Sequence, residues 1–330
     1  MANERETFWD VVKGLAIIAV VLIHTTSSNS AAGIVWRQFI NWPVAIFFFV
    51  AGYFCHPRHS YLAFVAGKAR RILVPLLTAT AVYGAIGVWQ EWRQGTGIGV
   101  SCVFSAFLSF PLGWGYFALA LFQCYLVAPA LRRFAIRRAF KLSLAAYSAS
   151  ALYAYLAATV LNDVLTTAHM VPYVLGITWL PFFSLGLFLQ DRRMTWVDNR
   201  FLSLGGLIAC LCLAVVTGLF WLQAGTIQLA RSQIRLSCVL FSLILACSLP
   251  NLADRLRLQN PVAVRLLIRL GQISLVTYLW HRLVLILLRS FASAVLLSVP
   301  WLPLLVILTF VAIAVVVPTS WRRRLWWAGF

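Results

Sequence analysis

The sequence predicts an all-α integral membrane protein, a polytopic bundle of about ten transmembrane helices with both termini cytoplasmic. Three observations point there. Of 330 residues, 62% are hydrophobic and only 11% charged. The apolar residues gather into runs near the ~20 residues that a helix needs to cross hydrocarbon. The basic residues, which bring the formal net charge to +19, fall in bursts between those runs. Such bursts write membrane topology, so the charge does not call for a nucleic-acid partner. The seven cysteines lie mostly inside apolar runs without paired spacing, which leaves no disulfide framework or metal site to expect.

A helix that is apolar all round has no periodicity to orient it, so spans rest on length, flanking charge and breakers. The first, 11–27, lies in DVVKGLAIIAVVLIHTTSS, and its leader MANERETFWD carries three acids, unlike the basic leader of a cleaved signal peptide. The second, 40–55, contains WPVAIFFFVAGYF and closes before CHPRHS, and the third, 72–90, follows GKARRILVP. Spans 113–131 and 142–160 flank the burst RRFAIRRAFK. Span 171–190 ends before Asp191 and Arg192, span 201–223 follows Arg200, and span 233–250 closes at Pro250. The last two are 270–290 and 294–318, followed by WRRR. Between the third and fourth spans, QGTGIGVS leads into an apolar CVFSAFLSF that reads as a re-entrant or interfacial segment. No stretch outside the spans is long enough to fold alone, so residues 1–330 form a single transmembrane domain.

With the amino terminus inside, 21 of the 27 basic residues fall on the cytoplasmic side. The other side keeps Arg37, Arg93, Arg231, Arg235 and Arg289, and Arg282 falls within a span. This asymmetry sets the orientation.

An ionisable side chain inside a span is costly and usually faces the bundle interior or a water-filled cavity. His56, His59 and His169 fall in loops, whereas His24 and His281 fall in spans. His24 follows Lys13 by eleven residues, about 16 Å of helix, and a buried neutral imidazole suits proton removal from an alcohol. The bland alternative is a histidine that hydrogen-bonds a neighbouring helix. Asp10 and Lys13, three apart, can pair at the cytoplasmic mouth. His281, in SLVTYLWHRLVL, reaches a similar depth and can border the same cavity with Tyr278 and Arg282. Lys68, Arg70 and Arg71 are either topology signals or a phosphate site, since arginine offers a fork of donors matched to phosphate. On the outer side Trp89, Glu91, Trp92, Trp114 and Tyr116 fit an aromatic belt or a sugar-stacking platform, and Asp163 is the other acid there. No Walker loop, GxSxG elbow or HExxH appears.

Taken in order, RETFWDVVKGLAIIAVVLIH, WPVAIFFFVAGYF, KARRILVP, GWGYFALALFQCYLVAP and SLVTYLWH resemble successive blocks of the membrane acyltransferase 3 family, over nearly the whole chain. Lys13 and His24 fill the family pattern of a basic residue, ten residues and a histidine. Many members have arginine at that basic position, and a sub-group similar to fucose 4-O-acetylases has lysine. Arg70 and Arg71 match its basic motif before the third span. The resemblance implies transfer of an acyl group, most often acetyl, from cytoplasmic acyl-CoA to a hydroxyl of an envelope glycan or lipid-linked sugar, in the bacterial inner membrane. His24 is then the base and Lys13 and Asp10 are further catalytic candidates, with Lys13 also able to hold CoA phosphates or the inner end of the pantetheine channel; an acyl-histidine intermediate is a rival route. Lys68, Arg70 and Arg71 hold acetyl-CoA, and Glu91, Trp114, Tyr116 and His281 meet the acceptor. Two other readings stay open: a proton-coupled transporter or flippase, and the other large class of membrane O-acyltransferases, hinted at by Trp280 and His281.

Overall fold

In the computed structural model the described residues are 2–26, 29–56, 60–95, 99–133, 136–160, 170–190, 200–255, 261–291, 301–317, 321 and 324–329. Every regular element among them is helical. The order is α1 (Ala2–Thr25), α2 (Ala31–Phe39), α3 (Pro43–Tyr53), α4 (Tyr61–Arg93), α5 (Val100–Ser109), a π-helical turn (Phe110–Trp114), α6 (Tyr116–Arg133) and α7 (Ile136–Thr159). Then come α8 (Val171–Val174), α9 (Gly176–Leu189), α10 (Arg200–Gln223), α11 (Ile227–Arg231), α12 (Leu236–Arg255), α13 (Val262–Gln272), α14 (Ser274–Phe291) and α15 (Trp301–Val316). A short 3-10 turn, Trp326–Ala328, follows.

Each of the ten expected spans falls on a helix, so the all-α membrane bundle stands. By length and apolar character, six helical stretches among the described residues can cross a membrane, or eight if each of two sharply bent pairs counts as one. The other two expected spans fall on α7, whose Ser143, Ser148, Ser150 and three tyrosines dilute its apolar surface, and on the 16-residue α15. The two bends lie between the π-turn and α6, at 67°, and between α13 and α14, at 86°. The first bears on the CVFSAFLSF segment, since α5 does not extend α6 but turns back along α4, with Phe107 against Gly84. The second starts α14 at Ser274 rather than near Leu270. Lys68, Arg70 and Arg71 ride on the first turns of the 33-residue α4 instead of preceding it.

Lipid is as apolar as leucine, so helices in a membrane associate by close packing, and small residues make that possible. Two helix pairs use glycines reciprocally. A Cβ on Gly14 of α1 would stand 2.2 Å from the Leu267 carbonyl oxygen of α13, and one on Gly271 1.9 Å from that of Asp10. Likewise a Cβ on Gly52 of α3 would overlap the Phe183 carbonyl of α9, and one on Gly186 the Phe49 carbonyl. The helix pair α3 and α9 forms the centre of the bundle, where Phe48 and Trp179 stack with ring centroids 5.3 Å apart. α1 packs into this body with Trp9, Ala16 and Ile17 all but fully buried.

Helix α14 is held at an unusual point. The Tyr83 hydroxyl of α4 donates to the Leu279 carbonyl (3.1 Å) and accepts from the Leu283 amide (2.7 Å). It stands between the two backbone groups that a regular turn pairs, and the turn it enters carries His281 and Arg282. The chain end returns to this region, with Trp280 donating to the Ala328 carbonyl at 2.9 Å.

Candidate active site

α1 ends where three side chains take its last carbonyls. Thr25 donates to Val21 O (2.8 Å), Thr26 to Leu22 O (2.7 Å) and Arg37 Nη1 to Ile23 O (2.9 Å). His24 therefore sits in the final turn of α1, at the end away from Asp10 and Lys13. Its ring is half-buried and lines a cavity of about 480 Å³. Trp114 lies against it at 4.5 Å between centroids, and His281 stacks on it at 5.1 Å.

His281 is 2% exposed. Its Nδ1 lies 2.8 Å from the Tyr278 carbonyl and 3.1 Å from that of Thr277. Both neighbours only accept, so the ring proton belongs on Nδ1 and the lone pair on Nε2. That Nε2 is buried without a partner among the described residues. Trp114 also receives the Arg282 guanidinium, with Cζ 4.1 Å from the ring centroid. Tyr278 pins the break before α6, donating to the Trp114 carbonyl and accepting from the Phe117 amide at 3.2 Å. Two imidazoles, an indole and a guanidinium thus meet at the junction of three broken or terminating helices, where backbone irregularity lets side chains converge.

Tyr116 also lines the cavity, in an edge-on contact with Tyr173 at 5.6 Å. Arg37, Arg231, Tyr173 and Gln233 line it as well, and among the described residues no acid does. The sequence reading took Arg37 and Arg231 as topology residues. The available signal was their position on the side of the chain otherwise poor in cations. Arg235 differs from them: it donates to Gln38, Ala214, Leu229, Ala230 and Ser237, and so ties helices together.

The structure does not bring every expected residue to this cavity. Asp10 and Lys13 pair as their spacing predicts, at 2.6 Å, and Asp10 also accepts from Gln272 at 3.3 Å. They lie at the opposite, arginine-rich end of α1, where it crosses α13, and neither lines the cavity. Glu91, in the last turn of α4, does not line it either. Its neighbours Trp89 and Trp92 are exposed beside Phe107, which suits a belt at the membrane surface. His59, Asp163 and His169 lie outside the described residues.

At the basic end, Arg70 and Arg71 border a separate hollow of about 350 Å³ with Gly67 and Trp326, and the Arg70 guanidinium lies 4.4 Å over the Trp326 ring. Lys68 turns away from them, with its ammonium 4.1 Å over Tyr125. Next to it Arg132 donates to the Cys55 carbonyl (2.7 Å). No described residue lines both this hollow and the His24 cavity. Among the described residues no three His, Cys, Asp or Glu side chains gather as a metal site would require.

A family model described as an acyltransferase domain matches residues 6–321. The chain belongs to the membrane acyltransferase 3 family. No curated protein and no solved structure matches it. Membership makes this chain an integral membrane acyltransferase, and the cavity at His24 and the hollow at Arg70 are the places in this family member where that chemistry can be sought.

Proposed function

We propose that this acyltransferase moves an acetyl or other short acyl group from acyl-CoA to a hydroxyl of an envelope glycan or lipid-linked sugar, with His24 as general base. The observation that carries the reading is the His24 ring: it borders an open cavity and is backed by His281, whose one free nitrogen points to no protein partner. A hydroxyl in the cavity gives its proton to an imidazole while its oxygen attacks the thioester carbonyl. The new ester C–O bond forms, the C–S bond breaks, and the thiolate leaves to be protonated as free CoA. Trp114 offers a flat face on which a sugar ring can stack.

Arg70 and Arg71 would take the CoA phosphates at the basic end, which this reading places in the cytoplasm of a bacterial inner membrane. Lys68, on Tyr125, would border the inner end of the pantetheine path, and the Asp10–Lys13 pair would hold α1 against α13 beside it. The two sites share no lining residue among those described, so the reading requires the acyl arm to thread between helices from one to the other. Glu91 would meet only those parts of a long glycan that extend beyond the cavity.

The test is purified protein in detergent with labelled acetyl-CoA and candidate glycans. Label should appear on the glycan in the wild type and be lost in His24→Ala. Label that stays on CoA throughout, with the glycan transported in vesicles, would favour the flippase reading instead.

A further inference from the structure

The far end of the His24 cavity is built for an anion. Arg37 and Arg231 both line it, and Asn41, 3% exposed, ties them together: its Oδ1 accepts from Arg37 Nε at 2.9 Å and its Nδ2 donates to the Arg231 carbonyl at 3.3 Å. Arg37 spends Nε on Asn41 and Nη1 on the Ile23 carbonyl. Neither is a carboxylate, and Nη2 makes no bond among the described residues. A charge taken from water costs several kcal/mol unless an opposite charge or a full set of hydrogen bonds offsets the loss, and two neutral acceptors offset only part of it. Beside the arginines Gln233 lines the same space, and its Oε1 is buried with no partner among the described residues. It lacks a donor such as a sugar hydroxyl. A guanidinium fork matches phosphate or carboxylate oxygens.

We infer that this subsite selects an acidic acceptor: a saccharide carrying a phosphate or carboxylate, held by Arg37 and Arg231, with a neighbouring hydroxyl on Gln233. The inference rests on the reading of the His24 cavity as the acceptor site. An apolar hollow of about 630 Å³ adjoins the cavity at Gly113 and Met170, so the anion can belong to a soluble sugar or to a lipid-linked one whose chain lies there.

The experiment measures direct binding to purified protein by calorimetry, which does not depend on turnover. The probes are a hexose, its uronic acid, its phosphate and the same phosphate carried on an alkyl chain. The acidic probes should bind at least about ten-fold more tightly than the hexose, the scale of one charge-assisted hydrogen bond. Arg37→Gln and Arg231→Gln should each erase that preference, while Arg37→Lys, which keeps the charge, should retain part of it. A further gain from the alkyl chain assigns the anion to a lipid-linked acceptor, and its absence to a soluble one. Equal binding of charged and neutral probes, no binding by any of them, or a preference that survives both glutamine variants overturns the inference. Transfer of label is scored separately: acidic probes that bind without ever being acylated overturn the acyl-transfer reading and leave the anion subsite standing.

Discussion

The imidazoles of His24 and His281 stack with their centroids 5.1 Å apart and their planes inclined by 25°. His24 borders the cavity, and His281, behind it, is fixed by its own helix as the Nδ1–H tautomer. If His24 is the base, His24→Ala lowers kcat by about 100-fold or more, the usual scale for a positioned proton acceptor. For His281 two amides separate the roles of its nitrogens. Asparagine can keep the Nδ1 bond to the backbone, and glutamine reaches the place of Nε2. If Nε2 takes part in the reaction, His281→Gln retains more activity than His281→Asn; the reverse order would mark His281 as a structural anchor.

The Tyr83 hydroxyl acts on that same imidazole from a distance. It bridges Leu279 and Leu283 across the turn that holds His281 and Arg282. Tyr83→Phe lets the α14 ladder close and shifts both side chains relative to Trp114. The expected cost is about 1 kcal/mol of stability, read as a lower melting temperature. A positioning role adds a fall in kcat with little change in KM for either substrate, which a purely structural role would not produce.

Much of the bundle was legible in the sequence because lipid demands long apolar runs and orientation is written in clustered arginines. The Asp10–Lys13 pair was legible too, since three residues on a helix bring side chains to one face. What escaped was set by contacts between distant segments. Nothing near Arg37 announces that it meets Arg231 through Asn41. The sharp bend at Ile273 arises where Gly271 lies against the α1 backbone, and apolar length alone cannot show it. His24 and His281 could be ranked as candidates from their place in apolar runs, but their stacking required the packed helices.

The reciprocal glycines should be intolerant of a single methyl group. A Cβ on Gly14 or Gly271 would overlap backbone carbonyls that cannot rotate away, so α1 and α13 must separate. Gly14→Ala or Gly271→Ala should each cost about 1–3 kcal/mol or more, the range for overpacking a core. Gly205 of α10 has open space around its Cα. Gly205→Ala should be neutral or raise stability by up to about 1 kcal/mol through helix propensity. Thermal unfolding in detergent compares the three, and equal tolerance at all of them would mean that the close α1–α13 contact does not form.

The basic hollow gives the sharpest test of where the donor enters. Arg70 and Arg71 border it with Trp326, whereas Lys68 is turned onto Tyr125 and Lys13 onto Asp10. If CoA phosphates sit there, Arg71→Ala raises KM for acetyl-CoA by about ten-fold, as expected for one lost charge-assisted hydrogen bond, and leaves KM for the glycan alone. Arg70→Ala should show the same split with an added loss of stability, because it also removes the contact that holds the chain end against α4. Lys13→Ala should act differently, lowering stability through the α1–α13 contact without a selective change in donor KM. An acetyl thioester of the pantetheine arm without the nucleotide separates the contributions further. It lacks the phosphates, so wild type and Arg71→Ala should use it with the same KM, and a persisting difference between them would place the phosphates elsewhere.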